Sequence, residues 1–71
     1  MIRNSIKALR AKHNMRQEDL AAKVGVRRET IGNLENGRYN PSLLLAWSIA
    51  KVFEVSIEEV FHLDDTQLPE E

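Results

Sequence analysis

The sequence predicts a small all-α domain of five short helices, and three observations support this fold class. Apolar residues recur at steps of three and four along most of the chain, which is typical of helices that bury one face. The strict alternation of a half-buried strand is nearly absent. With 71 residues and 42% hydrophobic residues, the chain is long enough for one small core.

The first three predicted helices cover about residues 3–13, 17–24 and 28–36. Their apolar positions are Ile2, Ile6, Leu9, Leu20, Ala21, Val24, Ile31 and Leu34. Gly25 follows the second helix, at a position where a left-handed residue often ends a helix, and Gly37 ends the third. This pattern indicates three helices joined by short turns.

Two capping signals open the last two helices. Ser42 follows the turn residues Asn40 and Pro41 and is the expected N-cap of a fourth helix. Ser56 and Glu59 are spaced as a capping box that opens a short fifth helix. The apolar positions of these helices are Leu43, Ala46, Trp47, Ala50, Phe53, Ile57, Val60 and Phe61. Residues 1–3 and 61–63 alternate weakly, which leaves open a pairing of two short strands.

The composition argues against several classes of protein. The chain has no Cys, which excludes disulfides and Cys-based zinc sites. The only His residues are His13 and His62, and no Gly-rich phosphate loop, metal-ligand spacing or nucleophile elbow is present. We therefore expect no enzyme, cofactor, metal or small-molecule ligand. No apolar run approaches the roughly 20 residues of a membrane span, and no signal-peptide pattern is present, so the expected location is the cytoplasm.

The charge distribution is uneven along the chain. The net charge is −1, but residues 1–53 hold all ten Lys and Arg against four Asp and Glu, whereas residues 54–71 hold seven acids and no Lys or Arg. A basic part of +6 can meet phosphates while an acidic part of −7 faces away; the alternative is that the charges only solubilise the surface. We expect a domain over residues 1–63 and an acidic tail over 64–71 that frays.

Residues 17–35 have the spacing of a helix-turn-helix motif. Such a motif needs a small residue where its two helices touch, and Ala21 stands there; its short turn favours glycine, and Gly25 stands there. Apolar residues fill the expected core positions Leu20, Val24, Val26, Ile31 and Leu34.

Over about residues 6–61 the chain resembles the phage-repressor-like (Xre/Cro-type) helix-turn-helix family, in particular its short single-domain members. The resembling pieces are Ile6-Lys7-Ala8-Leu9-Arg10, Gln17-Glu18-Asp19-Leu20-Ala21, Gly25-Val26, Thr30-Ile31, Glu35-Asn36-Gly37, Asn40-Pro41-Ser42 and Val55-Ser56-Ile57-Glu58-Glu59-Val60-Phe61. The resemblance implies a five-helix lambda-repressor-like domain that binds double-stranded DNA at a specific operator as a two-fold homodimer. It implies a transcription regulator, with repression the default.

The third predicted helix presents a polar face to the major groove of DNA. On a helical wheel its polar side chains lie opposite Ile31 and Leu34, and the resemblance implies base contacts by Arg28, Glu29 and Asn33. Their chemistry suits guanine, cytosine and adenine, respectively. The alternative is a solvated helix face, and Glu29 can also orient Arg28 rather than touch a base.

Phosphate contacts are expected around this helix. The candidates are Arg16, Gln17, Arg27, Thr30, Asn36 and Arg38. Arg16 and Arg27 depart from the family, which usually has Ser, Thr or Asn at these N-cap positions, and loss of a cap costs about 1 kcal/mol. Our hypothesis is that these two arginines add phosphate contacts that offset the cost when DNA is bound.

Other residues are expected to be structural. The resemblance implies a buried ion pair between Arg10 and Glu35 that ties the first helix to the third. Trp47 is expected in the core rather than stacked on a base. The expected dimer surface consists of Leu44, Val55, Ile57, Val60, Phe61 and Leu63, and the sequence leaves open which of them pack in the core instead. An alternative function on the same fold is a protein-interaction module or an antitoxin-like partner.

Overall fold

The computed structural model describes residues 2–63 and confirms five helices with one small sheet. In chain order the elements are β1 (Arg3–Asn4), α1 (Ile6–Lys12), α2 (Gln17–Val24), α3 (Arg28–Glu35), α4 (Leu43–Phe53), α5 (Ile57–Val60) and β2 (Phe61–His62). The acidic tail predicted for residues 64–71 lies outside the described residues. None of the described helices is long and apolar enough to cross a membrane.

The two strands pair at the place where the sequence left a pairing open. They are antiparallel, with Arg3 opposite His62 and Asn4 opposite Phe61, and the Ser5 amide donates to the Val60 carbonyl at 2.8 Å. Because these backbone groups bond across the sheet, α1 begins at Ile6 rather than at residue 3 as predicted. The sheet therefore joins the two ends of the described chain.

The predicted turn and capping signals are present. Gly25 ends α2 with a positive φ of 74°, a conformation that costs glycine nothing because it has no Cβ. The Ser42 hydroxyl accepts from the Leu45 amide at 3.1 Å. Ser56 and Glu59 form the reciprocal capping box, with both amide-to-side-chain distances at 3.2 Å. These local signals fix where the helices start and end.

The core draws one or more buried side chains from every helix and from β2. Its buried members are Ile6, Leu20, Ala21, Ile31, Leu34, Ala46, Ile49, Ala50, Phe53, Val60 and Phe61. The α2–α3 and α4–α5 pairs and the packing of α2 on α4 hold this cluster together. The arrangement leaves one face of α3 free of core contacts.

Two expectations about the core were wrong. Trp47, expected inside, is 51% exposed, and Leu43 on the same side of α4 is 78% exposed. Nine of the eleven residues of α4 are apolar, all except Ser48 and Lys51, so spacing alone does not show which side α2 and α5 cover. Conversely, Val60 and Phe61, expected at a dimer surface, are buried at 0% and 4% exposure. Val60 in α5 and Phe61 in β2 attach this end of the described chain to the core.

Candidate nucleic-acid interface

The α2–α3 pair holds the candidate interface in place. Ile31 and Leu34 anchor α3 in the core, and the opposite face of α3 bears Arg28 and Glu29, which are exposed, and Asn33, which is half-buried. At about 100° per residue, Arg28, Glu29 and Asn33 all lie within about 90° of the direction opposite to Ile31 and Leu34. The three expected base-contacting side chains thus share the side of α3 away from the core.

A largely buried ion pair supports the C-terminal end of α3. Arg10 and Glu35 make a two-bond contact, with Nε to Oε2 at 2.6 Å and Nη2 to Oε1 at 3.1 Å. Arg10 Nη1 also donates to the Met15 carbonyl at 3.0 Å. The two side chains are only 13% and 7% exposed, and a bidentate geometry of this kind satisfies both charges. The pair joins α1 to the end of α3.

Gln17 links this ion pair to the outer face of α3. Its Nε2 donates to Glu35 Oε1 at 3.0 Å, and its Oε1 accepts from Arg28 Nη1 at 3.3 Å. An ionised carboxylate can only accept hydrogen bonds, so the Gln17 amide has one orientation in which both bonds form, with its oxygen toward Arg28. A continuous path of hydrogen bonds therefore runs from Arg10 to Arg28.

This bridging role of Gln17 was not predicted from the sequence, which indicated only a phosphate contact. Gly32 is the signal that could have revealed it, since a glycine inside a helix costs about 1 kcal/mol relative to alanine. A Cβ built on Gly32 would lie 3.6 Å from Gln17 Nε2. The Gln17 side chain therefore passes directly over the glycine on its way to Glu35.

Arg16 and Arg27 differ in their surroundings. Arg16 is 75% exposed, with Nη1 at 3.0 Å from Glu18 Oε1 and Nε at 3.3 Å from Asp19 Oδ2. Asp19 also accepts from the Arg16 amide at 2.9 Å, which is the half of a capping box that an arginine N-cap permits, because a guanidinium has no acceptor. That backbone bond and the Arg16 side chain hold the pKa of Asp19 below its usual value. The same carboxylate raises the pKa of Arg16.

Arg27 makes no ion pair and no side-chain capping bond within residues 2–63. Its guanidinium is exposed at the N-terminus of α3. Both N-caps therefore lack the side-chain acceptor that Ser, Thr or Asn would supply. Each helix has an acidic residue in its first turn, but within residues 2–63 only Asp19 of α2 accepts a hydrogen bond from the N-cap amide.

The remaining phosphate candidates lie around the two ends of α3. Thr30 is half-buried in the first turn, Asn36 is the exposed C-cap, and Arg38 is exposed in the following loop. The Arg38 amide donates to the Asn33 carbonyl at 2.9 Å, and Gly37 takes a positive φ of 68°. The loop thereby folds back on the end of α3 and brings Arg38 beside the polar face.

The residues expected at a dimer surface do not form one patch. Leu44 and Leu63 are well exposed, at 71% and 60%, and Val55 and Ile57 are half-buried. Two surface depressions contain the exposed side chains. One, of about 490 Å³, is lined by Leu43, Leu44 and Trp47. The other, of about 360 Å³, is lined by Ile57, Glu58, Phe61, His62 and Leu63.

Comparisons with known proteins show the family of the chain. A model of the helix-turn-helix family matches residues 6–60. An HTH-type transcriptional regulator of Archaeoglobus fulgidus is 58% identical over 67 residues, which cover 94% of each chain. One of Methanocaldococcus jannaschii is 52% identical over 66 residues, 93% of this chain and 100% of that protein. The antitoxin HipB of Escherichia coli is 35% identical over 54 residues, 76% of this chain and 57% of that protein.

Among solved structures, the restriction-modification controller protein C.AhdI of Aeromonas hydrophila has a similar fold. The TM-score is 0.71 at 30% identity, over 76% of this chain and 82% of that one. The matched family comprises DNA-binding regulators and not enzymes. With five helices, an α2–α3 pair that exposes a polar recognition face, and a family match over residues 6–60, this chain belongs to the Xre/Cro-type helix-turn-helix family of DNA-binding transcription regulators.

Proposed function

We propose that this regulator is a repressor that binds a two-fold symmetric operator as a homodimer, with α3 in the major groove. The observation that carries the proposal is the outer face of α3, where Arg28 is oriented by Gln17 and stands beside Glu29 and Asn33. A guanidinium held in a fixed direction loses less freedom when it binds a base edge. Repression is the simplest mode of action for a domain of this size, which can occlude a promoter by binding alone.

Each base-contacting side chain has a partner that its chemistry favours. Arg28 can donate two bonds to guanine O6 and N7, and Asn33 can pair with adenine N6 and N7. Glu29 can accept from cytosine N4. Each good pair discriminates against a wrong base by about 1–3 kcal/mol. The operator half-site is therefore expected to contain these bases in the order set by α3.

Phosphate contacts would place α3 in register on the duplex. We assign them to Arg16, Gln17, Arg27, Thr30, Asn36 and Arg38, which flank the polar face of α3. Arg27 is the stronger of the two N-cap arginines for this role, because its charge is not shared with carboxylates. Arg16 must give up its bonds to Glu18 and Asp19, or bind a phosphate with the donors that those bonds leave free.

The experiment that tests the proposal is selection of binding sites from randomised duplex DNA, followed by titration of the selected duplex at several salt concentrations. We expect a two-fold symmetric site and a linear fall of log affinity against log salt. Arg28→Ala should relax the preference at one symmetric pair of positions. Lys51→Ala is the matched control, since Lys51 lies over the Trp47 ring on α4, and it should leave the preference unchanged. Failure to enrich any site would contradict the proposal.

Dimerisation would place the two recognition helices about one DNA turn apart. The accessible members of the expected dimer surface are Leu44, Val55, Ile57 and Leu63. In analytical ultracentrifugation we expect Leu63→Lys to weaken the dimer, because a charge would enter an apolar contact. Leu44→Lys tests the α4 end, with Ala11→Lys, which is exposed on α1 outside both depressions, as the control. A monomeric wild-type chain on the selected duplex would contradict the two-fold model.

An antitoxin-like role is the second candidate, and the likeness to the antitoxin HipB favours it. Such a protein would bind DNA through α3 and a toxin through another surface. Co-purification of the chain with the product of the reading frame beside its gene would support this role. Full operator repression in cells that lack that reading frame would favour the simple repressor.

A further inference from the structure

The N-terminal strand lies against the end of the recognition helix. Asn4 Nδ2 donates to the Leu34 carbonyl at 2.8 Å, and its Oδ1 accepts from the Ile6 amide at 3.1 Å. The Ile2 amide donates to Asn40 Oδ1, beyond the loop that follows α3, at 3.2 Å. Because β1 also pairs with β2, these bonds hold the strand in one place on both sides.

This placement brings Arg3 to the edge of the candidate interface. Arg3, Ile2 and Asn4 form one wall of an open cleft of about 390 Å³, and Glu35, Asn36 and Gly37 form the other. Asn36 and the following loop are the part of the chain that we assign to the sugar–phosphate backbone. Arg3 is exposed and alternates in direction with Asn4, which turns toward the protein. The Arg3 side chain therefore lies on the same side of the domain as Asn36, one of the proposed phosphate contacts.

The charges around Arg3 favour an anionic ligand. No ion pair occupies Arg3 within residues 2–63. Glu35, the acidic group of the cleft, already binds Arg10 and Gln17, so its charge is compensated. The cross-strand neighbour of Arg3 is His62, whose Nε2 contacts the Ser5 hydroxyl. A phosphodiester beside Asn36 would meet Arg3 without displacing another bond.

We propose that Arg3 is a further phosphate-contacting residue, which the β1–β2 sheet holds beside the loop after α3. The proposal rests on the proposed function, since its ligand is the backbone of the bound operator. A phosphate contact positions the protein and carries no direct base preference. Arg3 therefore adds to affinity and to its salt dependence, while the sequence of the preferred site is set by α3.

The test compares the wild-type chain with Arg3→Gln and Arg3→Lys on the selected duplex at 50 and 200 mM salt. Each lost phosphate contact lowers the slope of log affinity against log salt by about 0.9. A dimer loses two, so the affinity advantage of the wild type over Arg3→Gln should shrink by about 12-fold between these salt concentrations. Arg3→Lys keeps the charge and should keep the slope. Lys51→Gln removes one charge elsewhere and is the control.

The outcomes separate this proposal from the proposed function. A wild-type chain that selects a site, together with an Arg3→Gln variant of unchanged slope, overturns the role of Arg3 alone. A changed base preference in Arg3→Gln overturns its assignment to a phosphate. A wild-type chain that binds no duplex overturns the proposed function and this inference with it. Thermal melting of each variant shows whether a smaller salt slope reflects loss of folding. Asn4→Ala retains Arg3 but removes the anchor of the strand, and it should lower the salt slope because the strand positions Arg3.

Discussion

Replacing Glu35 with alanine should destabilise this domain more than removal of any exposed carboxylate. The Glu35 side chain is 7% exposed and accepts three hydrogen bonds, two from Arg10 and one from Gln17. Its removal leaves the Arg10 guanidinium, 13% exposed, with the Met15 carbonyl as its remaining partner within residues 2–63. Breaking a buried pair in this way costs about 3–5 kcal/mol, because one charge stays buried without a counter-charge.

Urea unfolding followed by circular dichroism measures this loss. With a slope of about 1 kcal/mol per molar urea, typical of the smallest proteins, the midpoint should fall by about 3–5 M. Since total stabilities of about 5–15 kcal/mol are usual, the variant is expected to lie near the edge of folding. Glu18→Ala is the matched control. Its ion pair with Arg16 is exposed, and such pairs contribute about 0–1 kcal/mol.

A paired replacement keeps the reasoning testable if Glu35→Ala does not fold. Arg10→Met combined with Glu35→Leu removes both charges and restores apolar volume, and buried ion pairs replaced in this way often lose little stability. We expect the double variant to be more stable than Glu35→Ala. Equal losses of stability in Glu35→Ala and Glu18→Ala would refute the expected destabilisation, since Arg10 would then be able to reach water without penalty.

Three further predictions follow from the helix ends and from the contact under α3. Gly32→Ala should raise the free energy of unfolding by about 0.5–1 kcal/mol, because the new Cβ would meet Gln17 at the ordinary distance of 3.6 Å. Unchanged DNA affinity in that variant would assign Gly32 to internal packing, whereas a loss would assign it to close approach to the groove. Arg27→Ser should raise the melting temperature through a new N-cap worth about 1 kcal/mol, while it weakens DNA binding. Arg16→Ser should raise the melting temperature less, because it also removes the ion pairs with Glu18 and Asp19. Equal increases in the two variants would contradict this distinction. Asp19→Asn should flatten the acid side of the stability curve. The folded-state pKa of Asp19 is depressed from 3.8 chiefly by the hydrogen bond from the Arg16 amide. The ionised Asp19 carboxylate therefore stabilises the fold above pH 3.8, and this contribution is lost as the pH falls through the lower folded-state pKa. Parallel curves of stability against acid pH for the wild type and Asp19→Asn would disprove this prediction.

Local chemistry was enough to predict most of the secondary structure. The N-cap serines, the Ser56–Glu59 spacing and the left-handed Gly25 act within a few residues of chain, so their effects are the same in any fold that contains these helices. The apolar spacing of α2 and α3, with the turn between them, predicted the helix-turn-helix and its exposed polar face. These are properties that a sequence determines by itself.

Which side of each helix is buried depended on the neighbours. The apolar positions of α4 spread over much of its circumference, so the side that faces α2 and α5 decided that Ala46 and Ile49 are inside and that Trp47 is outside. The same packing put Val60 and Phe61 in the core. In a helix of four residues, few side chains are available to attach it, and apolar character does not distinguish a core contact from a dimer contact.

The site required tertiary structure for a related reason. A family resemblance predicted the Arg10–Glu35 ion pair, and the polar face of a helix predicted the role of Arg28. The link between them is Gln17, which bonds Arg28, 11 residues away in the chain, and Glu35, 18 residues away. Arg3 reaches the interface only because a two-residue sheet joins the ends of the described chain. Hydrogen bonds of this kind depend on distances of about 3 Å between distant segments, and only the packed core sets those distances.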